Sequence, residues 1–164
     1  MPGASDEEVD AGLRIFLEYN ESHLADKTCL YGGVAQTLEL LARNGYRMAV
    51  ISNKHEKLCR KLLELLGVEK YFADILGADS LPFRKPSPEP LLKIMADLGF
   101  SSTETIMVGD SINDMGAGKA AGVRTIGCTY GYGTREELMD ADYLVNSFAE
   151  LSALLVIRDG ECCS

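Results

Sequence analysis

An α/β domain built on a parallel, Rossmann-like three-layer sheet is the fold this sequence predicts. Two patterns predict it. First, short apolar runs end in polar residues: residues 47–51 give way to Ser52-Asn53-Lys54, and residues 106–108 to Gly109-Asp110. Runs of this length and character fit strands buried on both faces. Second, helical segments lie between the runs and are closed by Gly45, Gly67, Gly99 and Gly122, the residue favoured just past a helix end. Strands and helices alternating at this pitch make a parallel sheet with right-handed crossovers. Such sheets bind ligands outside the carboxyl ends of their strands. The polar residues at the run ends are therefore the first candidates for a site.

The elements follow in order. Ser5 and Glu8 have capping-box spacing, and Val9, Leu13, Phe16, Leu17 and Leu24 recur at roughly helical intervals. A helix is predicted from there to about Asp26, with an apolar stripe that needs a partner. Tyr31-Gly32-Gly33 reads as a turn. A second helix over 34–44 carries Val34, Leu38 and Leu41 on one face. After the strand at 47–51 come a helix from about His55 to Leu66 and a short, weaker strand over 72–77. Residues 81–88, rich in proline, make a stiff loop. Ser87 is the expected N-cap of the next helix with Pro88 in its favoured first position, and Leu91, Leu92, Met95 and Leu98 form its core face. After the strand at 106–108, residues 115–121 form a helix of small side chains that can lie close to the sheet. A strand over 124–128, a glycine-rich loop (Tyr130-Gly131-Tyr132-Gly133) and a short strand over 143–145 follow. Ser147 and Glu150 make a capping box before a last helix with Leu151, Leu154 and Leu155. Residues beyond about Arg158 read as a tail.

The chain of 164 residues, 46% hydrophobic and 25% charged, supports one domain with a small appendage. A net charge of −9 argues against nucleic-acid binding, which needs basic contacts to phosphates. A small anionic substrate stays open, because local charge can oppose the global sign. The five cysteines, Cys29, Cys59, Cys128, Cys162 and Cys163, match no zinc-ligand spacing. Reduced thiols in the cytoplasm are the expectation. No run reaches the roughly 18 apolar residues of a membrane span, and the N-terminus lacks a basic region followed by an apolar one.

Three polar features sit at strand ends. Asp110 and Asp114, four apart across a turn, can converge on one hard cation, and Mg²⁺ suits a site of one or two carboxylates plus water. An acid that merely caps the next helix would look the same. Ser52 and Asn53 lead into a helix N-terminus, where N–H groups and the dipole favour an anion. Plain capping would also account for both. Lys85 is braced by Pro86 and Pro88, as a charge clamp on a phosphoryl oxygen requires. The alternative is a solvated surface lysine. A hydroxyl and amide, a braced lysine and paired acids, each after a strand, make a phosphate-plus-Mg²⁺ arrangement.

These residues carry a family resemblance. Val50-Ile51-Ser52-Asn53-Lys54, Arg84-Lys85-Pro86-Ser87-Pro88 and Gly109-Asp110-Ser111-Ile112-Asn113-Asp114 resemble the second, third and fourth motifs of the haloacid dehalogenase superfamily of phosphatases. Within it the chain resembles the phosphoglycolate phosphatase branch, from about Val9 to Leu155. The resemblance implies Mg²⁺-dependent hydrolysis of a small phosphorylated metabolite. Ser52 and Asn53 would hold the phosphoryl group, and Lys85 would clamp it and the nucleophile. Asp110 would bind Mg²⁺ directly, with Asp114 supporting the metal shell. Residues 1–30 would be a remnant of a helical cap, 31–158 the core domain and 159–164 a tail.

The family's first motif, Asp-x-Asp-Gly-Thr at the end of the first strand, is missing. It supplies the nucleophilic carboxylate and the acid–base carboxylate. The sole Asp-x-Asp here, Asp140-Ala141-Asp142, precedes a strand and reads as surface acids. The expectation is a truncated chain, a fragment or a natural loss, inactive alone. In the family the missing strand lies between the strands at 47–51 and 106–108. Its removal would leave two edges about 9–10 Å apart, with unpaired backbone groups each costing about 1–3 kcal/mol. Either the two strands close together, or a strand enters from another chain or a second copy, or the domain loosens. Two other classes compete: a non-catalytic phosphate- or partner-binding module, and a receiver-type domain phosphorylated on Asp110, which would need a further acidic pair.

Overall fold

The structure, a computed structural model, describes residues 5–24 and 28–156. The elements run α1 (Asp6–Ser22), α2 (Val34–Arg43), β1 (Met48–Ile51), α3 (Glu56–Leu65), β2 (Phe72–Leu76), α4 (Glu89–Leu98), β3 (Ile106–Gly109), α5 (Ile112–Ala120), β4 (Arg124–Cys128), β5 (Tyr143–Val145) and α6 (Glu150–Val156). Every strand pairing is parallel. The strands form two separate sheets, β1-β2 and β3-β4-β5.

Alternation along the strands sends side chains to two faces. On one face Met107 packs with Leu91 and Met95 of α4 and with Ala121 and Val123, against Ile51 of β1. On the other, Ile106, Val108, Ile126 and Cys128 pack with Leu151, Leu154 and Leu155 of α6. The small-residue helix α5 lies against β3 and β4 as its composition predicts. A Cβ on Gly118 would stand 2.5 Å from Thr125 Cγ2 and 3.0 Å from Met107 Cβ.

The two sheets neither close onto each other nor fuse. A cleft of about 810 Å³ runs between them, lined by β1 from Met48 to Ile51 and by β3 from Ile106 to Val108. Helices that bridge both sheets hold it open. Helix α4 touches β1 while Leu91 and Met95 reach Met107 of β3. Helix α2 spans from the 3₁₀ turn Glu69–Tyr71 ahead of β2 to α6 beyond β5. Their apolar faces would lose contact if the strands drew together.

Some sequence expectations need correction. Pro88, not Ser87, is the N-cap of α4, and the helix carries Pro90 at its second position with no side-chain cap bond. Helix α1 has the expected Ser5/Glu8 capping box, but Val9 and Phe16 of its stripe are 56% and 58% exposed. Helix α1 ends at Ser22, with His23 as its C-cap, short of the expected end near Asp26. The expected tail lies outside the described residues, as do the Leu13 and Leu17 side chains and Cys162 and Cys163. Among the described residues Cys29, Cys59 and Cys128 are free thiols, and no helix is long and apolar enough to cross a membrane.

Asp142 is exposed but is not an idle surface acid. Its Oδ2 accepts from the Thr125 N–H at 2.7 Å and the Thr125 hydroxyl at 2.9 Å, and its own N–H returns a bond to that hydroxyl at 3.1 Å. Thr125 is fully buried in β4, so this exchange staples the approach to β5 onto its neighbour. Bonding from the Thr125 N–H, then from its hydroxyl, holds the Asp142 carboxyl below the ordinary value. A group whose folded pKa is depressed stabilises the fold above its unfolded pKa, about 3.9, and loses that contribution as pH falls through the folded value. Asp142→Asn is therefore expected to lose less stability than the parent on acidification below about pH 4. Urea unfolding at a series of pH values measures this, and identical acid limbs would refute it.

Candidate functional site

The polar residues at the carboxyl ends of β1 and β3 meet through Lys85. Its ammonium donates to the Ile51 carbonyl at the end of β1 at 2.6 Å and to Asp114 Oδ1 in α5 at 2.6 Å. The lysine side chain is 13% exposed and that of Asp114 is 6% exposed. Lys85 thus links the end of β1 to α5 and is not a solvated surface lysine. An ammonium carries three donors, of which two are used among the described residues.

Asp114 reaches that position because of the turn after β3. Gly109 leaves the space: a Cβ there would lie 2.3 Å from Asp114 Cβ. Ser111 is the N-cap of α5, in a capping box with Asp114. Asp114 Oδ2 accepts from the Asp110 N–H at 3.2 Å, the Ser111 N–H at 3.1 Å and the Ser111 hydroxyl at 2.7 Å. Both oxygens of Asp114 are therefore engaged by protein donors. Their spacing allows Asp110 and Asp114 to converge on one cation; the geometry instead turns Asp114 inward, onto Lys85 and the turn. The S-x-x-D signature of Ser111 to Asp114 carried that information.

Asp110 does not cap α5. Its Oδ2 accepts from the Tyr132 N–H at 2.8 Å, and no hydrogen bond to its Oδ1 occurs among the described residues. Among the same residues no group of three or more His, Cys, Asp or Glu could hold a metal ion. One carboxylate oxygen with open coordination fits a Mg²⁺ that keeps most of its waters. It does not fit a closed protein cage.

Asn53 and Ser52 line the other side. The Asn53 amide donates to the Lys85 carbonyl at 2.9 Å, clipping the two loops together. Ser52 Oγ accepts from the Lys54 N–H at 3.1 Å, beside the Cys59 thiol, whose pKa burial pushes up. The helix N-terminus behind them is already capped. The Glu56 N–H donates to Asp79 Oδ1 at 2.8 Å, and Asp79 Oδ2 pairs with His55 Nδ1 at 3.2 Å. That Glu56 N–H holds the Asp79 carboxyl below the usual carboxylate range. The first N–H of α3, expected to favour a bound anion, thus has a resident carboxylate. Gly77 permits the close approach, since a Cβ there would stand 2.1 Å from Glu56 N.

This parallel α/β domain gathers a buried lysine, acids and a polar loop at its strand ends, where such sheets place ligands. Comparison with known proteins identifies its family. Residues 4–128 match the family model of haloacid dehalogenase-like hydrolases, and the chain belongs to that family. It is 43% identical over 146 residues to a phosphoglycolate phosphatase of Chromobacterium violaceum, covering 89% of this chain and 65% of that protein. It is 45% identical over 131 residues to phosphoglycolate phosphatase 1 of Pseudomonas aeruginosa, covering 79% and 47%. The chain thus spans about half to two thirds of these relatives. A crystal structure of a predicted phosphoglycolate phosphatase from Haemophilus somnus superposes with a TM-score of 0.85 at 32% identity, covering 92% of this chain and 68% of that one.

Proposed function

We propose that this chain is the larger part of a Mg²⁺-dependent phosphomonoester hydrolase, with a phosphoryl group held by Ser52, Asn53 and Lys85. The observation that supports it best is Lys85 bonded at once to Ile51 O and Asp114 Oδ1. This fixes a cation at the ends of two strands. In this reading Asp110 holds Mg²⁺, which neutralises phosphate charge when bound. The cluster favours such a requirement on charge alone. Two acids, Asp110 and Asp114, against one lysine leave a net −1, which repels a phosphate unless a cation joins it. Asp114 acts by fixing Lys85. Residues 1–30 are the remnant of a cap and 31–158 the core. Phosphoglycolate is the first substrate to test, by likeness to the relatives.

In this reading catalysis needs a carboxylate to attack phosphorus and another to protonate the leaving oxygen, and neither Asp110 nor Asp114 is assigned to those roles. A second reading, a module that binds a partner strand, has its own support. β1 and β3 face each other across the cleft without pairing, the situation that β-augmentation resolves.

One experiment serves both readings. A peptide with an apolar strand ending in Asp-x-Asp-Gly-Thr is added to the chain with Mg²⁺ and phosphoglycolate. The first reading expects turnover that disappears in Asp110→Asn and Lys85→Met. Turnover indifferent to both substitutions would overturn it. Tight peptide binding with no turnover would favour the second.

A further inference from the structure

The glycine-rich loop after β4 has no part in the phosphate-site reading, yet it presses on that site. The Tyr132 N–H donates to Asp110 Oδ2 at 2.8 Å. A Cβ on Gly131 would lie 2.2 Å from the same oxygen, and one on Gly133 would lie 2.0 Å from the Asp110 carbonyl oxygen. No side chain fits at either distance, so glycine at both positions lets bare backbone approach Asp110 from two directions. The loop has its own anchor. Tyr130 packs edge-on against Tyr31, ring centres 5.1 Å apart, and the Gly131 N–H bonds back to Cys128 O at 3.3 Å. The Tyr132 side chain is 97% exposed, so what this residue gives the site is its N–H.

We propose that the loop from Tyr130 to Gly133 is a positioning element for Asp110. The Tyr132 N–H takes Oδ2 and fixes the carboxylate plane, which leaves Oδ1 as the oxygen for the cation. This rests on the metal reading of Asp110. Outer hydrogen bonds to a ligating carboxylate orient it, and their loss typically costs about 10–100-fold in metal affinity.

The test uses Mn²⁺ alone as the probe, with binding read from water-proton relaxation enhancement on the full chain and folding read from amide spectra. Replacing Tyr132 by its α-hydroxy acid puts an ester oxygen in place of the N–H and adds no atom to the loop. It is expected to weaken Mn²⁺ binding about tenfold or more. Gly131→Ala should do the same. Gly32→Ala, whose Cβ meets nothing within 4 Å, should change nothing. In an Asp110→Asn background the ester should have no further effect. Unaltered Mn²⁺ affinity in the folded ester variant would overturn the proposal, even were Gly131→Ala to fail to fold. Mn²⁺ binding that is absent from the parent chain, or survives Asp110→Asn, would overturn the metal reading beneath it.

Discussion

Replacing Lys85 or Asp114 by alanine is expected to destabilise the chain by about 3–5 kcal/mol, the cost of leaving one member of a buried ion pair unpaired. The side chains are 13% and 6% exposed, so water cannot readily take the lost partner's place. The two deletions differ in what they strand. Without Lys85, Asp114 keeps its three donors from Asp110 and Ser111 but loses its counter-charge. Without Asp114, the ammonium keeps only the Ile51 carbonyl, and the turn after β3 loses its acceptor. Against a typical stability of about 5–15 kcal/mol, either loss is large. Urea denaturation of both single variants and the double variant measures it. The double variant should cost clearly less than the sum of the singles, because each single already breaks the shared pair. Additive costs would show that the two side chains do not act together.

The second large effect is on activity. The chain alone should hydrolyse p-nitrophenyl phosphate and phosphoglycolate no faster than buffer containing Mg²⁺. General acid–base catalysis by a positioned group is typically worth about 10²–10⁴ in rate, and the proposed site assigns no carboxylate to a covalent route. Asp110 is a poor substitute nucleophile. The Tyr132 N–H already holds its Oδ2, and attack on phosphorus would draw it from the cation. Turnover well above background by the chain alone would contradict this expectation.

What was legible in the sequence depended on how local the deciding interaction is. β4 and β5 were read to the residue, because runs such as Arg124–Cys128 are bounded by glycine and polar residues on both sides. The glycines at 45, 67, 99 and 122 stop the helices as expected, each at positive φ. Asp110 and Lys85 were singled out because one follows a strand and the other sits in a stiff loop, and Lys85 is indeed buried against Asp114. The misread residues take partners far along the chain, or fold back through a turn. Asp79 caps a helix that starts 23 residues earlier, and Asp142 bonds a threonine 17 residues before it. Tyr132 reaches Asp110 across 22 residues. Periodicity carries no trace of such partners. The inward turn of Asp114 was missed for another reason: its place in the first turn of α5 was read, but its capping-box partnership with Ser111, the N-cap of that helix, was not. The open cleft is likewise a tertiary outcome. It depends on α2 and α4 bridging two sheets, which no single stretch encodes.

The claim at the centre is that Ser52, Asn53 and Lys85 form one phosphoryl-binding site beside Asp110. Titrating the isotope-labelled chain with orthophosphate at fixed Mg²⁺, and following every amide signal, tests it most directly. Shifts should cluster at Ser52, Asn53, Lys85 and Asp110, weaken when Mg²⁺ is withheld, and vanish in a folded Lys85→Met variant. Shifts scattered over the surface, or a cluster at these residues that persists in Lys85→Met, would contradict it.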